Sequence, residues 1–280
     1  MQTPLLADET FLAAVAACAT GNSLRLWWLG QSGFLLQYQG RHLLLDPYLS
    51  DSLTQKYAGT ARPHVRMTGR VVDPARLDFI DVVTSTHMHT DHLDAATLLA
   101  LRAANPGLAL VIPEANRAAV AERLQCETGW PLGCDDGVTV EVAGWQLTGV
   151  PAAHEQLETD ATGQHRYLGY VVAGAGGTVY HSGDTLRYPG LVERLRRWQI
   201  DVALLPLNGR APERGVAGNL DGVEAAELAH EIGAGVVIPC HYDMFAFNTA
   251  TPEAFARRCR ELGQPYAILR NGEGYSVAAG

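Results

Sequence analysis

Nine consecutive residues, Thr86-His87-Met88-His89-Thr90-Asp91-His92-Leu93-Asp94, hold three imidazoles and two carboxylates. Few structures other than a metal centre use that density of ligand-type side chains. The run separates two segments of different character. Phe79 to Thr86 is apolar and β-branched, as a buried strand would be, and Leu93 to Leu101 carries leucines at helical spacing. The cluster therefore sits where a strand hands over to a helix, a place at which α/β folds gather functional side chains. In extended backbone, side chains two apart share a face, so His87 and His89 can reach one ion. Asp91 and His92 fall where the chain turns and are expected to face a second ion nearby. Imidazole combined with carboxylate suits zinc, manganese or iron better than calcium or magnesium.

Three more ligand-type residues occupy similar settings downstream. His154 follows the strand-like run Trp145 to Val150. Asp184 follows Val179-Tyr180-His181-Ser182-Gly183, where the glycine frees the backbone to turn just before the carboxylate. His241 ends the buried run Val236 to Cys240. Each alone reads as a cap, a turn residue or a core histidine. Together, four strand ends carrying ligand-type residues describe one site.

In this order the residues resemble the metallo-β-lactamase superfamily, whose signature is His-x-His-x-Asp-His followed by a His, an Asp and a His. The resemblance spans most of the chain. It implies an α/β (α+β) fold, a four-layer αββα sandwich with two mixed sheets face to face, helices outside and the site at one edge. It further implies that His87, His89 and His154 hold one divalent ion, that Asp91, His92 and His241 hold the other, and that Asp184 bridges them. Redox members replace the second histidine of the first motif with an acid, so the histidine at position 89 favours hydrolysis.

The rest of the chain agrees with such a fold. Ser23 to Leu45 alternates apolar runs with glycine-bearing turns, as an antiparallel meander does. Helical patterns at Asn116 to Leu124, Leu186 to Trp198, Gly222 to Ile232 and Pro252 to Leu262 alternate with apolar runs at Val202 to Leu205 and Val236 to Ile238. A linker-like stretch is lacking, so residues 1–280 are expected to form one domain. Asp8 to Ala17 reads as a short amphipathic helix without the basic start of a signal peptide.

With 47% hydrophobic residues in 280, the chain has material for a large core, yet no apolar run approaches the roughly 18 residues of a membrane span. The expectation is a protein of the cytoplasm that does not engage a membrane. Five scattered cysteines without a Cys-x-x-Cys pair argue for a reducing compartment and against a disulfide framework or a structural zinc knuckle. Cys240 is read as a buried thiol that points away from its neighbour His241. A formal charge of −9 weighs against nucleic acid as a partner, and the basic run Arg194, Arg196, Arg197 reads as a solvated helix face.

Two cations sharing Asp184 and a water would bring the pKa of that water towards neutrality beside a polarised substrate oxygen. Asp91 would then both bind metal and carry the proton. The reaction class is hydrolysis of an ester-like bond: thioester, lactone, lactam or phosphodiester. Three segments narrow the resemblance, Trp28 to Phe34 with Asp46 to Ser52, Leu205 to Arg210, and Pro239 to Phe245. They are similar to the L-ascorbate-6-phosphate lactonase family, bacterial cytoplasmic enzymes that open the lactone of a phosphorylated sugar acid. That resemblance implies zinc or manganese, a small anionic or sugar-lactone substrate and a homo-oligomer. Arg210, after the buried run Val202 to Leu205, is expected near the metal edge, where its guanidinium could pair with a substrate phosphate or carboxylate and Asn208 could donate a further hydrogen bond. Alternatives in view are a metal-dependent phosphodiesterase and a metal-bound ligand sensor without turnover.

Overall fold

Two tight turns shape the first third of the chain. Gln39 (φ 48°) and Gly40 (φ 76°) both adopt left-handed backbone between paired residues Tyr38 and Arg41, the geometry a two-residue hairpin requires. Gly30 (φ 91°) and Gln31 (φ 50°) turn the preceding hairpin in the same left-handed sense. The computed structural model describes residues 1–174 and 176–277.

Helix α1 (Asp8–Ala16) precedes the meander β1 (Arg25–Gly30), β2 (Gly33–Tyr38) and β3 (Arg41–Leu45). Then follow α2 (Ser52–Lys56), β4 (Val82–Thr84), α3 (Ala95–Ala104), β5 (Ala109–Pro113), α4 (Arg117–Leu124) and β6 (Pro131–Cys134). The second half contains β7 (Thr139–Val142), β8 (Trp145–Pro151), β9 (Leu168–Ala173), β10 (Val179–His181), α5 (Leu191–Leu195) and β11 (Val202–Pro206). It closes with α6 (Gly222–Glu231), β12 (Val236–Cys240), α7 (Glu253–Leu262) and β13 (Gly274–Ser276).

The strands form two mixed sheets, ordered β13-β1-β2-β3-β4-β5-β6 and β12-β11-β10-β9-β8-β7. Alternation along β1 shows how they are layered. Leu26 and Trp28 pack into the cluster shared with the second sheet, which includes Leu147, Val171 and Leu204. Trp27 and Leu29 pack the other way, with Phe11 and Val15 of α1, Leu98 and Leu101 of α3, and Val120 of α4. Each such fully buried side chain contributes roughly 1.5–3 kcal/mol. Helix α6 packs on β11 and β12 and is backed by α7. The result is the four-layer αββα sandwich expected from the sequence. Among the described residues no helix is long and apolar enough to cross a membrane.

Several boundaries differ from expectation. The strand anticipated over Phe79 to Thr86 is confined to Val82–Thr84; just before it, Asp81 donates its N–H to His42 O and its carboxylate accepts the His42 N–H at 2.8 Å. Leu186 to Trp198 contains only the short helix α5, since Leu186 N–H bonds Ala153 O and Gly190 (φ 90°) restarts the chain. Helix α3 begins at Ala95, capped by Asp94, whose carboxylate accepts the Thr97 N–H at 3.1 Å. Leu93 instead belongs to the preceding turn.

Candidate metal centre

Four strands of the two sheets end on the same edge. The ligand-type residues follow β4 (His87 to His92), β8 (His154), β10 (Asp184) and β12 (His241). His87 and His89 do not lie on extended backbone as expected. They sit in a bend closed by the His92 and Leu93 N–H groups, both bonded to His89 O. The bend still brings them together, with ring centroids 4.6 Å apart, and His154 lies 5.4 Å and 5.0 Å from the two rings.

Ligand atoms of His87, His89, His154 and Asp184 fall within 4.8 Å of one another, and so do those of Asp91, His92 and His241. Asp184 stands between the groups: Oδ1 is 3.3 Å from His92 Nε2, and Oδ2 is 3.2 Å from His241 Nε2 and 3.8 Å from His154 Nε2. Gly183 makes this placement possible. Its φ is +59° and an added Cβ would lie 2.8 Å from Thr86 Cβ. His241 itself holds left-handed backbone (φ 60°), secured by its N–H to Gln31 O at 2.9 Å.

A metal is coordinated by the lone pair of one imidazole nitrogen, and the other nitrogen's partner decides which is free. His92 Nδ1 donates to Asp46 Oδ2 at 2.7 Å. His154 Nδ1 donates to Gly218 O at 3.3 Å. Thr86 Oγ1 gives its proton to Asp46, so it accepts from His87 Nδ1 at 3.1 Å. All three histidines therefore turn an Nε2 lone pair towards the cluster. His87 Nε2, His92 Nε2 and Asp184 Oδ1 are buried without a hydrogen-bond partner. Buried polar atoms are rarely left so, and a divalent cation supplies what these lack. The donor set fits one.

The charges are strongly coupled in the protein alone. Burial opposes the imidazolium of His241, but Asp184 and Asp91 push its pKa up to about 9. Burial likewise opposes the charged form of His92, and the same two carboxylates lift it well above the usual histidine range. The carboxylates respond in kind: against the cost of burial, His241 and His92 hold Asp184 well below the carboxylate range, and His92 with His241 lowers Asp91. Burial and the neighbouring imidazoles His92 and His89 depress His87. Protons thus occupy part of the place where cations belong.

The cluster forms the floor of a cavity of about 350 Å³, in the size range of small-molecule sites. Tyr57, His64, Phe245 and Phe247 make one wall, Lys56 and Arg123 bring positive charge, and Asn219 and Asn248 bring amides. Arg210 is not among the residues lining it. Its guanidinium instead bonds Glu224 at 2.6 Å, on the helix that Asp221 and Glu224 cap together. Asn208 is also absent from the lining. It is buried behind the wall, donating to Asn248 Oδ1 at 3.0 Å and accepting from Asn219 Nδ2 at 3.1 Å. The direct substrate contacts expected of both are therefore corrected.

Two site residues lie in segments that the sequence marks as family-like without assigning them a role. Asp46 is fully buried and also accepts the Thr86 N–H at 3.0 Å. Gln31 Nε2 donates to Asp91 Oδ2 at 2.8 Å. A signal existed for Asp46, since it ends the apolar run Leu43 to Leu45 as the four recognised ligand segments end theirs. Cys240 is buried, as expected, and burial pushes its thiol far above the usual cysteine range.

Comparison with known proteins agrees with this geometry. The profile of the beta-lactamase superfamily domain matches residues 41–242, from β3 to just past the last ligand. A UPF0173 metal-dependent hydrolase from Methanopyrus kandleri is 32% identical over 259 residues, which cover 90% of this chain and 99% of the relative. The chain belongs to the metallo-β-lactamase superfamily of metal-dependent hydrolases. Solved structures share the fold at lower identity. Igni18, a metallo hydrolase from Ignicoccus hospitalis, superposes with a TM-score of 0.65 at 21% identity, covering 91% of this chain and 98% of that one. A possible metal-dependent hydrolase from Veillonella parvula gives 0.70 at 16% identity, covering 91% and 99%. In this superfamily chain, the edge cluster is a His/Asp metal-binding site.

Proposed function

We propose that this metal-dependent hydrolase holds two divalent ions, zinc or manganese, and opens a small lactone. The observation that carries the reading is the placement of Asp184 between two three-residue ligand groups at the floor of a cavity sized for one small molecule. His87, His89 and His154 would hold one ion, Asp91, His92 and His241 the other, with Asp184 shared. When bound, the ions supply an activated water and polarise the scissile carbonyl. The protein's own part is orientation: Asp46 and Thr86 keep His92 and His87 in the tautomer that presents Nε2, and Gln31 aims Asp91. Asp91 Oδ2, at the cavity floor, takes up the proton released on attack and returns it to the leaving oxygen. Lys56 and Arg123 on the wall offset the carboxylate that lactone opening creates. They take over the part that the sequence suggested for Arg210.

The test uses zinc- or manganese-loaded protein with a panel of sugar-acid lactones, read by acid release, beside bis(p-nitrophenyl) phosphate, read by colour. Lactone opening that is lost in Asp184→Ala supports the proposal. Phosphodiester cleavage without lactone opening overturns it in favour of a phosphodiesterase, and full metal with no turnover of either overturns it in favour of a sensor.

A further inference from the structure

Behind the cavity wall, four side chains form a relay whose polarity is set at one end. Arginine has donors only. Arg214 Nη1 bonds Asn208 O at 2.6 Å and Asn248 Oδ1 at 3.3 Å, and its Nη2 bonds Thr249 O at 3.0 Å. The Asn248 amide must therefore turn its oxygen to Arg214. Asn208 Nδ2 donates to that same oxygen, which makes Asn208 Oδ1 the acceptor for Asn219 Nδ2. No amide of the relay can flip without placing donor against donor or acceptor against acceptor.

Two amide ends remain. Asn248 is left with its Nδ2 donor, and Asn219 with its Oδ1 acceptor, and both residues line the cavity. Asn219 is 1% exposed and its Oδ1 has no partner. Such an acceptor is costly to leave unpaired, so its presence beside a binding cavity needs a reason.

We infer that Asn219 and Asn248 read the hydroxyl groups of the substrate, one accepting and the other donating a hydrogen bond, while Asn208 and Arg214 hold the two amides in that polarity. The substrate class is a polyhydroxylated lactone rather than a plain aliphatic one. This rests on the lactone reading above and specifies its substrate. Neighbouring hydroxyls both donate and accept, so they satisfy the free acceptor and the free donor together. The Phe245 and Phe247 rings of the cavity wall offer an apolar surface to the C–H face of the same ring. A site built to hydrogen-bond hydroxyls discriminates strongly against an analogue lacking them, because its own polar atoms are then stranded. Asn208 and Arg214 are positioning residues that do not touch the substrate.

The decisive variant is Asn248→Asp, which keeps an oxygen towards Arg214 and Asn208 and turns the free donor into an acceptor. With zinc-loaded protein, the ratio of kcat/KM for δ-gluconolactone to that for δ-valerolactone is expected to fall about tenfold, the worth of one hydrogen bond. Asn208→Ala is expected to lower the same ratio through KM. A readout independent of turnover is the side-chain amide resonances of Asn219 and Asn248. D-gluconate is expected to shift them, and 5-hydroxypentanoate is not. A ratio within twofold of the parent in Asn248→Asp, or equal shifts with both acids, overturns the inference. Should neither lactone be opened, the lactone reading fails, and the amide shifts with D-gluconate still decide whether these residues read hydroxyls.

Discussion

Replacing Asp46 with asparagine should disable one half of the metal centre while leaving the ligands themselves in place. Asp46 Oδ1 accepts the backbone N–H of Thr86 at 3.0 Å and the Thr84 hydroxyl at 3.1 Å, and Oδ2 accepts His92 Nδ1–H at 2.7 Å. The backbone donor cannot reverse, so in Asp46→Asn the amide oxygen must stay on that side and the NH2 group must face His92. Donor would then meet donor. The relief is a change of tautomer in which His92 Nδ1 accepts and Nε2 carries the proton. Nε2 is the atom that lies 3.3 Å from Asp184 and 3.7 Å from Asp91, so the group of Asp91, His92 and His241 loses a lone pair. Loss of such an outer partner weakens metal binding roughly 10- to 100-fold, about 1.4–2.7 kcal/mol. The group of His87, His89 and His154 should lose less, because Asp46 acts there only at one remove, through the Thr86 hydroxyl that orients His87. Zinc titration against a chromophoric chelator separates the two events, and long-range imidazole ¹H–¹⁵N spectra report the tautomer of His92. Two sites of parental affinity in Asp46→Asn, with His92 still protonated at Nδ1, would show that Asp46 does not set the His92 tautomer.

Three further outcomes are expected. Gly183→Ala should lower stability by roughly 2–4 kcal/mol, because it adds left-handed strain to a contact of 2.8 Å with Thr86, and a thermal melt within about 1 °C of the parent would exclude that packing. In metal-free protein, His241 is raised from its ordinary value near 6.5 to about 9, so its stabilising contribution is full below 6.5 and lost as pH rises through 9. Metal must displace that proton, so calorimetry in two buffers near neutral pH should show proton release on loading and affinity should strengthen with pH; binding without proton release would contradict the coupling. Arg210→Ala should leave KM within twofold for anionic and neutral substrates alike, since the pair with Glu224 is half-exposed and outside the cavity. A selective rise for anions would restore the role that the sequence suggested.

Much of the fold was legible because the signals were local. The hairpin at Gln39-Gly40 is announced by a glycine between two apolar runs, and the ligands stand at strand ends, where period and composition change together. His87 and His89 converged although the backbone reason differed from that expected, because a bend stabilised by His89 O can bring the same two side chains together as an extended strand would. Local signals failed where one long side chain chooses between distant partners. Arg210 leaves a buried strand near the site, yet Glu224, which also caps α6, takes its guanidinium aside. The cavity wall was unreadable for the same reason. Tyr57 and His64 stack at 4.1 Å and Phe247 meets His64 at 4.5 Å, but these rings come from two irregular segments with no shared period. Asp46 heads a segment that the sequence marks only as family-like, and its partners in space, Thr84, Thr86 and His92, reveal its part in the site.

Seven side chains, with Asp184 shared, make up the proposed two-ion centre. Metal content per chain, measured by elemental analysis after equilibrium dialysis against zinc and again against manganese, tests it most directly. Two ions per chain are expected for the parent, with His87→Ala reduced to one or fewer and Asp184→Ala stripped of both. A parent that saturates with a single ion, or an Asp184→Ala variant that retains two, would contradict it.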